Sequence, residues 1–229
     1  MKKILIFMCV LTTIVVFFSF EKGKTYDIVP VVSQSVTNKV IVIDAGHGKP
    51  DEGAINSDGV SEEELNLEIA LKLQKLLESN FSAVSLTRSD ENGIYEIDKD
   101  SIQKKKISDM KKRVEIANNS FADLFISIHL NMTNDKKYWG WQTFYRTNDE
   151  NSKKLATLIQ SNLNSTISKE NKRVPLSLNS IYIMKNVKIP IALVECGFLS
   201  NENESNLLQN PTYQEKLAWG IYNRNLRLF

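Results

Sequence analysis

Two histidines stand in the 229 residues, and each follows a run that reads as a buried strand: His47 in VIVIDAGHG and His129 in LFISIHLN. Ligand and catalytic groups of open α/β sheets gather at the carboxyl ends of strands, where a rigid scaffold meets solvent. Neutral imidazole is also the commonest metal ligand. Gly46 and Gly48 flank His47 and permit a tight turn and a close backbone approach. A strand-exit turn without chemistry would use the same glycines, but both histidines at strand ends favour a site.

A hydrolytic zinc centre takes three protein ligands and keeps a fourth position for water, so a third donor is needed. The acidic cluster Glu62, Glu63 and Glu64 offers candidates. Ser61 with Glu64 forms a capping box, and a helix dipole favours acids in a first turn whatever their function. The direction of Glu62 goes beyond that account. At about 100° per residue it falls within the stripe of Leu65, Ile69, Leu73 and Leu76, whereas Glu64 falls with Glu68, Lys75 and Glu78. An inward carboxylate needs a cation or donors to offset its desolvation, which favours Glu62 over Glu63 as the third ligand.

In IPIALVECGFLSN a hydrophobic strand ends on Glu195. A structural carboxylate bonded to loop amides would look the same. Beside two strand-end histidines, Glu195 is expected to take a proton from a metal-activated water and pass it to a leaving amine. Cys196 next to it raises a rival, a thiol hydrolase. Alternation decides against it, because neighbours on a strand face opposite sides.

These groups need a scaffold. Short β-rich runs at 40–43, 83–87, 124–128, 141–145, 180–184 and 191–194 alternate with helical patterns near 61–79, 104–119, 151–167 and 211–227. That order predicts one α/β domain from residue 39 to 229, with a mixed, largely parallel sheet and helices on both faces. Upstream, Lys2 and Lys3 precede an uncharged run from Ile4 to Phe20, which reads as a cleaved signal peptide or an uncleaved signal anchor. Residues 21–38 read as a linker. The body is therefore expected to be exported, secreted or membrane-anchored through the N-terminal segment. Cys9 and Cys196 give no disulfide framework within the domain. A net charge of +2 supplies no basic field for nucleic acid.

Together, VIVIDAGHG, the inward glutamate of SEEELNL, the RVEIAN run at 113–118 leading into ADLFISIHLN, and VECGFLSN resemble the catalytic domain of zinc-dependent N-acetylmuramoyl-L-alanine amidases. The resemblance spans about residues 39 to 228. It implies zinc held by His47, Glu62 and His129, a catalytic Glu195, and peptidoglycan as substrate, cut between muramic acid and L-alanine. Within the family the chain is most similar to the small spore-cortex type, in which stem-peptide removal precedes muramic-δ-lactam formation. LTRSD at 86–90 also looks like a family feature, with Arg88 in a structural or substrate-contacting role. Two features depart from the family. Nine residues separate Asn131 from Trp141, too few for the inhibitory helix of some relatives, so control by an unidentified protein partner, by expression or by weak zinc affinity stays open. Lys49-Pro50 stands where the loop usually carries another glycine. A rival from another class is a membrane-tethered wall-binding module without turnover.

Overall fold

The inner strands grade from apolar to polar along one face, and this gradient places the site. The protein is described by a computed structural model that covers residues 39–80, 82–96 and 100–222. Strands β1 (Val40–Ala45), β2 (Ala83–Leu86), β3 (Leu124–Asn131), β4 (Gln142–Arg146), β5 (Leu176–Leu178) and β6 (Ile191–Phe198) form one sheet in the order β2-β1-β3-β6-β4-β5. All pairs are parallel except β4 with β6. The helices are α1 (Glu62–Glu78), α2 (Ile102–Asn119), α3 (Glu150–Thr166), α4 (Tyr182–Asn186), α5 (Glu202–Leu208) and α6 (Pro211–Ile221).

Alternation splits the sheet into two faces. On one, Ile41, Ile43, Ile126, Ile128 and Val194 pack with apolar residues of α1, α3 and α6, among them Leu65, Ile69, Leu155 and Leu217. On the other, Val42, Phe125, Ile191 and Leu193 pack with Val114 and Ala117 of α2 and with Ile183 and Met184 of α4. Going up this second face the paired rows change character. Val42, Phe125 and Ile191 form an apolar row, Asp44, Ser127 and Leu193 a mixed one, and His129 and Glu195 a row of two ionisable groups. The sheet is thus a dry platform whose carboxyl end turns polar.

The fold class matches the expectation, with a six-stranded, mostly parallel sheet and helices on both faces. One element does not. Residues 180–184, expected as a strand, contain the start of α4, and the edge strand is Leu176–Leu178. The β-branched and aromatic composition of SIYIM misleads there because Ile183 and Met184 are buried against α2 and the sheet, and packing outweighs intrinsic propensity. Helix α5 was not expected; Asn201 caps it by accepting from the Glu204 amide. The leader, the linker and the end of the last predicted helix beyond Tyr222 lie outside the described residues. Among the described residues no helix is long and apolar enough to cross a membrane.

Candidate active site

His47 sits two residues beyond β1 with a backbone φ of 63°, in the left-handed region that costs a side-chain-bearing residue energy. Glu62 opens α1, whose cap Ser61 accepts from the Glu64 amide at 3.3 Å. His129 lies inside β3. Donor atoms of these three residues fall within 4.8 Å of one another, a set that can hold a metal ion. Glu62 Oε1 lies 3.0 Å from His129 Nδ1 and 3.2 Å from His47 Nε2, and accepts the Leu130 amide at 3.0 Å. Its other oxygen accepts the Ala54 amide at 3.0 Å. Two imidazoles and one carboxylate suit zinc's preference for three protein ligands with one open position.

Asp51 stands behind His47, its Oδ2 3.0 Å from Nδ1, and is paired in turn with Lys106 at 2.7 Å. A carboxylate there fixes the proton on Nδ1 and leaves the Nε2 lone pair facing the ligand cluster. Burial alone would lower the pKa of His47, but hydrogen bonds and charge from Asp51 and Glu62 outweigh it and raise it to about 9. Burial likewise opposes the charge on Glu62, and the two histidines more than compensate, holding its carboxyl far below the usual range. The surroundings of His47 therefore favour positive charge.

Two buried arginines fasten this loop. Ala45 carbonyl accepts from Arg88 Nε at 2.9 Å and Arg113 Nη1 at 2.7 Å. Gly46 carbonyl accepts from Arg88 Nη2 at 3.0 Å, and His47 carbonyl from Arg88 Nε at 2.8 Å and from Arg113 Nη2. Arg88 Nη2 also donates to the Glu63 carbonyl at 2.7 Å, tying the His47 turn to the start of α1. Arg113 is neutralised by Asp44 at 2.6 Å and Asp109 at 2.5 Å, and Asp44 accepts further from Thr87 and Ser127. Such a charge is tolerated in the interior because nearly every donor is satisfied. Gly46 is required by proximity, since a Cβ there would lie 2.3 Å from the His129 ring. Gly53, with φ of 68°, is required by both conformation and contact: a Cβ would lie 2.6 Å from Glu62 Oε2.

Glu195 pairs in register with His129 and lines the same cleft of about 320 Å³, whose wall includes Met110, Ile183, Met184 and Leu193. Its Oε2 is buried and hydrogen-bonded to nothing among the described residues. Burial against this wall, with Glu62 adding to it and the histidines subtracting, pushes its carboxyl up to about 7. At that value the group can both take and return a proton near neutrality. Cys196 faces the opposite side of the sheet, fully buried in the core with α1, α3 and α6, and burial drives its thiol pKa well upward. A thiol so placed cannot be the nucleophile of this cleft.

Two expectations need adjustment. Glu195 does not end its strand; β6 continues to Phe198 through an irregularity in its pairing with β3 between His129 and Asn131. Glu63, expected off the inward stripe, is as buried as Glu62, at 2% against 4% exposed, and lies 3.7 Å from Arg88. The carbonyls of Ala54 and Glu52 accept the Glu62 and Glu63 amides, and Glu63 is buried beside Arg88 while Glu64 in the same turn stays exposed. The roles of Arg113, Asp51 and Lys106 were not foreseen. Asp51 four residues after His47 was the available signal, while Arg113 appeared only as one letter of a family run. A larger groove of about 670 Å³ runs along the outer side of α2, but its lysines and acids include the surface pairs Lys104–Asp100 and Lys112–Glu115 and it holds no ligand set.

Comparison with known proteins agrees with this architecture. The germination-specific N-acetylmuramoyl-L-alanine amidase of Bacillus subtilis is 36% identical over 197 residues, 86% of this chain and 82% of the relative. Among solved structures, the CwlD amidase of Clostridioides difficile, in complex with the GerS lipoprotein, is 45% identical with a TM-score of 0.81, over 83% of this chain and 98% of the other. An N-acetylmuramoyl-L-alanine amidase from Clostridium difficile 630 is 32% identical with a TM-score of 0.72, over 83% of this chain and 96% of that one. Residues 41–224 match the N-acetylmuramoyl-L-alanine amidase family Amidase_3, and the chain belongs to that family.

Proposed function

We propose that the protein hydrolyses the amide between N-acetylmuramic acid and the L-alanine of the stem peptide, with zinc held by His47, Glu62 and His129 and with Glu195 as the proton-transfer group. The observation that carries this reading is the convergence of the three donors beside a buried Glu195 oxygen that has no hydrogen-bond partner among the described residues. When bound there, zinc supplies a Lewis acid for the carbonyl and makes water a nucleophile near neutral pH. Asp51 holds His47 in one tautomer, and Arg88 and Arg113 hold its backbone. Glu195 takes the proton of the attacking water and gives it to the departing amine of L-alanine. The apolar wall of the cleft limits competing solvent.

The germination-specific relative supports a place in spore cortex synthesis, with stem-peptide removal ahead of muramic-δ-lactam formation. The same reading places the domain outside the cytoplasmic membrane, exported by residues 1–20 and tethered or released by residues 21–38. The lipoprotein complex of the Clostridioides difficile relative supports a protein partner here as well.

Zinc content and stem-peptide release, measured on the same preparations, test the assignment. His47→Ala and His129→Ala should lose zinc and activity together. Glu195→Gln should keep zinc near the parent level while hydrolysis falls by roughly two to four orders of magnitude, the usual size of a positioned acid/base. If Glu195→Gln loses zinc as the histidine variants do, Glu195 is a ligand and the base lies elsewhere.

A further inference from the structure

A second groove, separate from the Glu195 cleft, lies near the antiparallel side of β6. Glu195 pairs with Gln142 across the antiparallel β6–β4 ladder, and Phe198 pairs with Asn131 beyond the pairing irregularity. A three-residue step from Glu195 to Phe198 opposite a two-residue step from His129 to Asn131 is a bulge, which re-aims Phe198 to the side of the two ionisable groups. Tyr138 lies against Phe198 with ring centroids 6.3 Å apart. The guanidinium of Arg173 sits 4.7 Å from the Phe198 centroid and 5.9 Å from that of Tyr138. A groove of about 410 Å³ opens at this point, lined by Tyr138, Trp139 and Arg173 together with Lys137, Glu170 and Lys172.

Arg173 is held in place without a direct ion pair among the described residues, although its charge is felt by the buried Glu204. Its Nε donates to the Trp139 carbonyl at 3.2 Å and its Nη1 to Gln142 Oε1 at 3.1 Å, both uncharged acceptors. Its Nη2 donates to no atom, and no carboxylate lies within ion-pair distance of it, among the described residues. The other cations near the groove are engaged: Lys137 with Asp135 at 2.8 Å, Lys172 with Glu170 at 3.5 Å, and Lys169 over the Trp139 ring at 3.6 Å. Glu204 lies beneath, but its carboxylate accepts the Gly140 and Phe198 amides. Arg173 is therefore an oriented, half-buried cation with donors left over, one carboxamide removed from Glu195. A planar guanidinium with free N–H groups is the group best matched to a carboxylate, by charge and by two-point geometry.

We infer that Arg173, seated over Phe198 and Tyr138, forms a subsite for a carboxylate of the stem peptide on the leaving-group side of the scissile amide. This rests on the amidase reading above, in which L-alanine and the acidic residue after it depart together. The second residue of such a peptide carries a free carboxylate, or a neutral carboxamide where the wall is amidated. The subsite distinguishes the two, because an arginine held for an anion gains little from an amide.

The test compares the zinc-loaded full chain on N-acetylmuramoyl-L-alanyl-D-glutamate and on the same compound with both glutamate carboxylates amidated, since the α-amide alone would leave the γ-carboxylate free. The parent should prefer the acid by about tenfold or more in kcat/KM, the usual scale of a charge-assisted hydrogen bond. Arg173→Gln should erase that preference by raising KM for the acid, and Arg173→Lys should restore part of it. Melting temperatures of both variants separate a lost subsite from a disturbed 139–142 loop. Calorimetric binding of the product L-alanyl-D-glutamate needs no turnover, so it reads the subsite even if the muramoyl amide is not cleaved. Weaker product binding by Arg173→Gln with unchanged melting supports the subsite. A parent that treats acid and amide alike, or an Arg173→Gln protein that keeps the preference or binds the product as the parent does, overturns it.

Discussion

Zinc affinity should depend steeply on pH, because the proton on His47 and the metal compete for the same nitrogen. With Asp51 and Glu62 against it, metal-free His47 titrates at about 9, so at pH 7 nearly all of it is imidazolium. Removing that proton at pH 7 costs roughly 2 × 1.36, or about 2.7 kcal/mol, which weakens apparent zinc binding about a hundredfold relative to pH 9 and above. The figure is an upper bound, since the side chain is 24% exposed and salt screens part of the interaction. The apparent Kd from competition against a chelator should therefore tighten about tenfold per pH unit between 7 and 9, with close to one proton released per ion bound, and then level off. The metal-free fold should show the opposite trend. Its His47 pKa lies above the unfolded value of 6.5, so the proton's stabilisation is fully present below pH 6.5 and is lost as pH rises through 9. That is a loss of roughly 3 kcal/mol at most. Melting temperature should fall across this window without zinc and hold or rise with it. A zinc Kd that does not move between pH 7 and 8.5 would refute the reasoning.

Arg113→Lys keeps the charge but loses the fork that bridges Asp44, Asp109 and two carbonyls; it should cost about 2–4 kcal/mol by denaturant unfolding and weaken zinc about ten- to a hundredfold, as loss of outer-shell support does. Glu62→Gln should lower zinc content with little loss of fold, whereas Glu63→Gln should lower stability, by about 1–3 kcal/mol, more than zinc content, because Glu63 meets Arg88 and the ligand cluster excludes it. Cys196→Ala should leave activity within about twofold and cost around 1 kcal/mol by thermal melting, the scale of one small buried group, and strong loss of turnover with intact zinc would reopen the thiol reading. A chain beginning at residue 39 should fold and melt cooperatively on its own, as judged by circular dichroism.

The layout was legible because its signals are periodic. Strand runs, helical stripes and their alternation gave the parallel sheet, and the burial of Leu65, Ile69 and Leu73 follows the stripe read for α1. The failures share a physical origin. Period arguments assume that an element has a wet side and a dry side, and that assumption breaks where an element is covered more widely than its stripe or is too short to have a period. In the first turn of α1 the loop at 52–54 and the buried Arg88 cover a wider arc than the stripe predicts, so Glu63 is buried against its predicted phase while Glu64 stays exposed. Five residues of α4 are too few for a helical stripe, and their β-branched composition pointed the wrong way.

The site was legible in its chemistry but not in its support. His47, Glu62, His129 and Glu195 are unusual residues for their positions, and unusual types at strand ends are visible without coordinates. Arg88 in a loop and Arg113 inside α2 are ordinary residues for their positions, and nothing local says that one will reach back 42 residues to Gly46 and the other 66 residues to His47. Arg113 is held there by the buried network centred on Asp44, the polar member of the middle row on the sheet's second face, and Arg88 by backbone carbonyls of the His47 loop and α1. A buried aspartate in VIVIDAGHG demands a cation, and the only way to supply one without exposing the sheet is from α2, packed over that face. The His47 loop is thus positioned by the requirement to neutralise Asp44, so Asp44→Asn should loosen His47 as effectively as removing Arg113. Its first readout should be zinc affinity, with the apolar rows below it left packed.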